Sequence, residues 1–105
     1  MKITINNKAY FEICDSLSFL SRVSKTASQK LYEEIHSKLE ALKEFPFIYP
    51  LVNSDILKNL EIRKMNVDDG RYGILYSVKE DEIYVYRFLD LRKENIFSEN
   101  DFNKL

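Results

Sequence analysis

Hydrophobic positions change their period once along this chain, and the change divides it into a helical half and a strand half. Met1 to Ile5 alternates and contains the β-prone Ile3, Thr4 and Ile5, which predicts a short opening strand. From about Lys8 to Val23 the spacing lengthens. Ala9, Ile13, Leu17 and Leu20 recur at intervals of four and three, and Tyr10 and Cys14 widen the stripe, as in a helix packed along one side. A second helix follows, capped by Ser24 or Thr26; Thr26 has Gln29 three residues on, as in a capping box. It carries Ala27, Leu31, Ile35, Leu39 and Leu42 on one face, and Pro46 stops it because residues before proline disfavour helical backbone. A turn this short makes the pair an antiparallel hairpin.

Residues 46–59 form a connector whose backbone is restricted by Pro46 and Pro50. Beyond it the period is two. Leu60 to Val67, Arg71 to Val78 and Glu82 to Asp90 are strand-like runs rich in Ile, Val, Tyr and Phe. Asp68-Asp69-Gly70 and Lys79-Glu80-Asp81 separate them and predict two hairpins. The tail from Arg92 to Leu105 is polar, and Ser98 with Asp101 marks the start of a short terminal helix. The predicted fold class is α+β: an N-terminal strand, an antiparallel helical hairpin, then a three-stranded antiparallel meander. The helices should cover one sheet face and leave the other open as the working surface.

Composition narrows the class. The 105 residues suffice for one domain, 1–105, and seven Tyr with seven Phe supply a core without disulfide support. No apolar run approaches membrane-spanning length. The stretch Met1 to Asn6 is too polar and short for a secretory signal, and the single cysteine, Cys14, excludes an internal disulfide. A cytoplasmic protein without a membrane partner is expected. A net charge of −1 leans against binding to bulk nucleic acid, because phosphate contacts supply most of that affinity, although a local basic patch can be offset elsewhere.

Cations gather in the strand half at Arg63, Lys64, Arg71, Arg87, Arg92 and Lys93. Strand period places Arg63 and Lys64 on opposite faces, and gives Arg71 the same parity as Gly73. Lys and Arg with no histidine nearby suit charge stabilisation of a phosphate better than acid–base work. The same residues also fit an ordinary solvated sheet surface or a docking site for an acidic partner. His36 is the only histidine and forms no nucleophile pair, while Cys14 beside the stripe reads as a core filler. No Cys/His/carboxylate spacing suggests a metal and no glycine-rich loop suggests a nucleotide, so no cofactor is expected. Tyr72, Tyr76, Tyr84 and Tyr86 alternate on strands as packing residues, one or two of them free to stack on a base.

Two segments carry a family resemblance. Arg63-Lys64-Met65-Asn66-Val67 followed by Gly70-Arg71-Tyr72-Gly73-Ile74-Leu75-Tyr76 looks like the basic strand, turn and Tyr-Arg-Ile-Leu-Tyr strand of the RelE/ParE toxins. Ile83-Tyr84-Val85-Tyr86-Arg87-Phe88-Leu89-Asp90-Leu91-Arg92-Lys93-Glu94 is similar to that family's final strand, and the element order resembles the family over nearly the whole chain. The resemblance implies the toxin of a bacterial type II toxin–antitoxin pair, neutralised by a cognate antitoxin that covers the functional face. Members of the family inhibit growth either as mRNA interferases, cleaving mRNA on the ribosome, or as inhibitors of DNA gyrase. Carried over residue by residue, Lys64 matches a basic strand position, Arg92 the basic residue after the last strand, and Gly73 replaces the family arginine. Asp90 stands where histidine is common, and Phe97 near a terminal tyrosine. As a nuclease, Lys64, Arg71 and Arg92 would neutralise the scissile phosphate while Asp90 or Lys93 moves a proton. The alternatives are a non-catalytic inhibitor of gyrase or another protein, and a degenerate member that is no longer toxic.

Overall fold

The computed structural model describes residues 1–93 and 99–102. The elements are β1 (Lys2–Ile5), α1 (Asn7–Val23), α2 (Lys25–Leu42), α3 (Asp55–Asn59), β2 (Arg63–Val67), β3 (Tyr72–Lys79) and β4 (Glu82–Asp90), closed by a 3-10 turn at Glu99–Phe102. The architecture is the α+β layout that the periodicity predicts. The four strands lie in the order β1-β4-β3-β2, with β2, β3 and β4 forming the antiparallel meander and β1 running parallel to β4.

Local chemistry fixes the boundaries. The Asn6 side chain accepts from the Ala9 N–H at 2.8 Å and starts α1. Ser24 ends α1 and begins α2: its N–H donates to the Leu20 carbonyl, and its Oγ accepts from the Ala27 N–H at 3.1 Å. Of the two cap candidates, then, Ser24 caps the helix, and the Gln29 amide bonds Glu33 instead of closing a box with Thr26. Glu80 and Asp81 both have positive φ, 54° and 63°, which suits a tight two-residue hairpin between paired Lys79 and Glu82. A bulge leaves Tyr86 as the extra residue, since Leu75 pairs with Arg87 but Tyr76 with Val85.

The helical hairpin buries Ala9, Ile13, Leu31, Ile35, Leu39 and Leu42 on one sheet face, against Met65, Val67, Ile74, Tyr76, Ile83, Val85 and Phe88. The other face is not open, which corrects the expectation from the pattern. Leu57, Ile62, Leu75, Tyr86, Leu89 and Phe102 form a second buried cluster there. The connector folds into α3, contributing Leu57; Ile62 follows in the turn before β2, and the 3-10 turn of the polar tail contributes Phe102. β2 also starts at Arg63 instead of Leu60, because Glu61 takes positive φ (55°) in the turn after α3. A third correction concerns α1: Cys14 is exposed, as is Tyr10, so the buried stripe is narrower than the sequence pattern. The terminal helical turn falls where Asp101 predicts it; Ser98 and Phe97 lie outside the described residues.

One ion-pair network ties these layers together. The short β1 ends at Ile5, opposite Val85, so the β4 edge beyond it has no strand neighbour among the described residues. Glu12 of α1 fills the gap. Its carboxylate accepts the Phe88 N–H at 3.1 Å and takes Nε and Nη2 of Arg87 at 3.0 and 2.7 Å. Arg87 in turn reaches Asp101 of the terminal turn at 3.2 Å. The Glu12 hydrogen bond outweighs burial and holds the guanidinium above its ordinary pKa. Arg87 is therefore a structural cation.

Candidate functional site

A cleft of about 340 Å³ opens at one end of the molecule, between the junction of α1 and α2 and the β2–β3 turn. Phe19, Leu20 and Val23 form an apolar wall, while Lys30, Glu34, Asp68, Arg71 and Arg92 form a polar one beside Tyr72. The helical hairpin sets the first wall. The β2–β3 turn and the residues just after β4 set the second, since the Leu91 N–H donates to the Arg71 carbonyl at 2.8 Å and holds both segments together.

Both arginines of the polar wall are matched to acid. Arg71 lies 3.4 Å from the Asp68 carboxylate. The Asp68 N–H donates to Glu34 at 2.9 Å, and this bond, helped by Lys38, holds the Glu34 carboxyl below its usual range. Arg92 grips Asp90 with both arms, Nε to Oδ1 and Nη2 to Oδ2, each at 3.0 Å, and lies 5.5 Å from the centre of the Tyr72 ring. Its Nη2 also stands 3.4 Å from the Tyr72 hydroxyl. That fork lowers the Asp90 pKa and raises that of Arg92. Asp90 is thereby an ionised anchor for Arg92 and a poor proton acceptor at neutral pH. Three cations against Glu34 and Asp68 in the lining, with Asp90 behind, make the cleft two-signed instead of strongly positive.

The five residues expected from sequence to act together do so only in part. Arg71 and Arg92 share the cleft, and Asp90 orients Arg92. Lys93 follows directly, its N–H bonded to the Asp90 carbonyl at 3.1 Å. Lys64 is elsewhere. Its stem lies over Gly73 on the second sheet face, and it lines a separate groove with Asn66 and residues 49–53. Arg71 does not join it, since it sits in the turn before β3 and turns toward the helices, so strand parity does not govern it. Gly73 has a steric explanation: a Cβ there would stand 3.2 Å from both Lys64 Cε and Leu91 Cδ1. A side chain at position 73 would therefore require the ends of Lys64 and Leu91 to give way by a few tenths of an ångström.

Sequence reasoning missed Lys30 and Phe19 and treated Tyr72 as packing. Tyr72 does pack, stacked 5.1 Å from Phe88, but its hydroxyl reaches Arg92. Lys30 shows no signal in its own helix, because only the folding of α2 against the β2–β3 turn brings it to the arginines. Compared with known proteins, the chain matches no family model and no curated sequence. Among the described residues no helix is long and apolar enough to cross a membrane, and no cluster of His, Cys, Asp and Glu could hold a metal ion.

Proposed function

We propose that this protein is the toxin of a type II toxin–antitoxin pair and that it arrests growth by binding a protein target, with DNA gyrase the first to test. The order of elements and the two strand motifs support the toxin assignment. The choice of mode rests on one observation: Lys64 lies on the opposite sheet face from Arg71 and Arg92, each of which is already matched to a carboxylate. A two-signed cleft with an apolar wall suits a protein surface with its own charged and apolar groups better than a bare polyphosphate backbone. In this reading Arg71 and Arg92 exchange their internal carboxylates for acidic side chains of the target, Lys30 adds a third cation, and Phe19 and Val23 supply apolar contact. The cognate antitoxin would neutralise the toxin by covering this same end.

A second reading, ribosome-dependent mRNA cleavage, is favoured by the Tyr72 hydroxyl at 3.4 Å from Arg92. That pair could serve a phosphate and a proton in one place.

Inducible expression in bacteria, following DNA synthesis and translation separately, distinguishes them. The inhibitor reading expects replication arrest with intact mRNA, and inhibition of supercoiling by purified gyrase, both lost in Arg71→Ala/Arg92→Ala. Early translation arrest with mRNA cut at codon boundaries, abolished by Tyr72→Phe, would overturn it in favour of the nuclease. Normal growth with folded protein present would leave only a non-toxic relative.

A further inference from the structure

Helix α1 exposes several large apolar side chains, spread around its solvent side. Tyr10, Phe11, Phe19 and Val23 are 62, 67, 62 and 74% exposed. The exposed positions of α2 are more polar, with Lys25, Gln29, Lys30, Glu33 and Glu40, and Tyr32 as its large apolar exception. At about 100° per residue, the line opposite the core-facing Ala9, Ile13 and Leu20 runs through Phe11, Asp15, Ser18 and Arg22, with Phe19 beside it. Asp15 makes no hydrogen bond or ion pair among the described residues. Arg22 rests 5.6 Å from the centre of the Phe19 ring and has no carboxylate partner among the described residues. The outward line therefore carries one exposed phenylalanine, Phe11, one unmatched acid and, further along, one unmatched base, with Phe19 flanking it.

This arrangement is complementary to itself. The midpoint between Asp15 and Arg22 falls between Ser18 and Phe19. A two-fold axis through that point, perpendicular to the helix, sets each Asp15 against the Arg22 of a second copy. The contact then occurs twice, as an isologous interface requires. The same operation brings Ser18 and Phe19 of both copies together at the centre. We infer that α1 is a self-association face, and that its occupant is α1 of a second copy in antiparallel register. The alternation of charge along the line selects the antiparallel arrangement, since a parallel pair would oppose like to like. The buried area of a single helix pair makes this a weak, concentration-dependent dimer. Phe19 also lines the cationic cleft, so the second copy would stand at its apolar wall.

Sedimentation of the full chain at micromolar to submillimolar concentration tests the inference. The mass is expected to rise from 12.5 kDa toward twice that value. Asp15→Arg, on an exposed position that leaves the core intact, should weaken association by about tenfold or more by opposing Arg22 with a like charge. Asp15→Arg/Arg22→Asp should restore it. In a Cys14→Ser background, Ser18→Cys should form a disulfide across the axis on oxidation. At an interaxial distance of about 9 Å its two Cα atoms fall within disulfide range. A monomeric mass throughout overturns the inference, and so does association that Asp15→Arg leaves unchanged or that the charge exchange fails to rescue. Dimers without the Ser18→Cys cross-link overturn the register. A chain that stays monomeric but binds a different protein through Phe11 and Phe19 assigns the face to that partner instead.

Discussion

Position 12 shows how a charged residue comes to be indispensable on a helix face that turns toward a sheet. Glu12 accepts three donors from β4: the backbone N–H of Phe88 and two guanidinium nitrogens of Arg87. Arg87 is only 7% exposed, so the loss of its main partner strands a buried charge and leaves an edge amide unsatisfied. Glu12→Ala is expected to lower stability by about 3 kcal/mol, read from the denaturant midpoint. The terminal turn should loosen with it, because Asp101 depends on the same guanidinium, and this would appear as faster hydrogen exchange at Asp101 and Phe102. Tyr76 carries a second residue-scale expectation. Its hydroxyl donates to the Pro46 carbonyl at 2.9 Å, and burial pushes its pKa up to about 12. The unfolded chain ionises this tyrosine near its ordinary value of 10.0, so the stabilisation is complete below that pH and fades as pH rises toward 12. Tyr76→Phe should therefore flatten the alkaline limb of the stability profile between those values, while costing about 1 kcal/mol at neutral pH for the lost hydrogen bond.

At the scale of elements, the chain announces what depends on short-range pattern and conceals what depends on distant packing. The two helices, the three strands of the meander and both hairpin turns are legible because period and turn chemistry are local properties. Ser24 is a good example. One hydroxyl caps α2 while the same residue's amide closes α1, and the Ser28 hydroxyl reaches back to the Leu17 carbonyl at 2.9 Å. Ser24→Ala should cost about 1 kcal/mol, measured by thermal unfolding followed at a helix-sensitive wavelength. The connector is harder to read, because α3 is one turn held by Leu57 and Ile62 against a sheet that no local rule places there. The site was half legible for the same reason. Arg92 with Asp90 is a local pair two residues apart, whereas the meeting of Lys30 with Arg71 requires the whole hairpin to be docked.

For the molecule as a whole, burial of both sheet faces changes what the C-terminal turn does. Phe102 lies 6% exposed against the Tyr86 ring at 5.4 Å, at the end of a segment whose composition alone suggests a solvated tail. Phe102→Ala should destabilise the protein by about 3 kcal/mol and increase binding of a hydrophobic dye, since Leu75, Leu89 and Tyr86 would lose their cover. A small change in both readouts would mean that α3 alone closes that face. Asp101 adds a polar hold on the same turn through Lys8 at 2.8 Å and Arg87, drawing on a helix and a strand at once.

The parallel pairing of β1 with β4 has a consequence in time. Lys2 meets Glu82 and Ile5 meets Val85, so the first strand made must wait for the last before it finds a neighbour. The helical hairpin needs only adjacent sequence and can form while the chain is still growing, but its apolar stripe then has no sheet to settle on. At roughly 5–20 residues per second, that interval lasts several seconds for each molecule synthesised. Newly made chains therefore pass through a stage in which Leu31, Ile35, Leu39 and Leu42 are aligned and uncovered, the stage at which a chaperone has the most surface to hold.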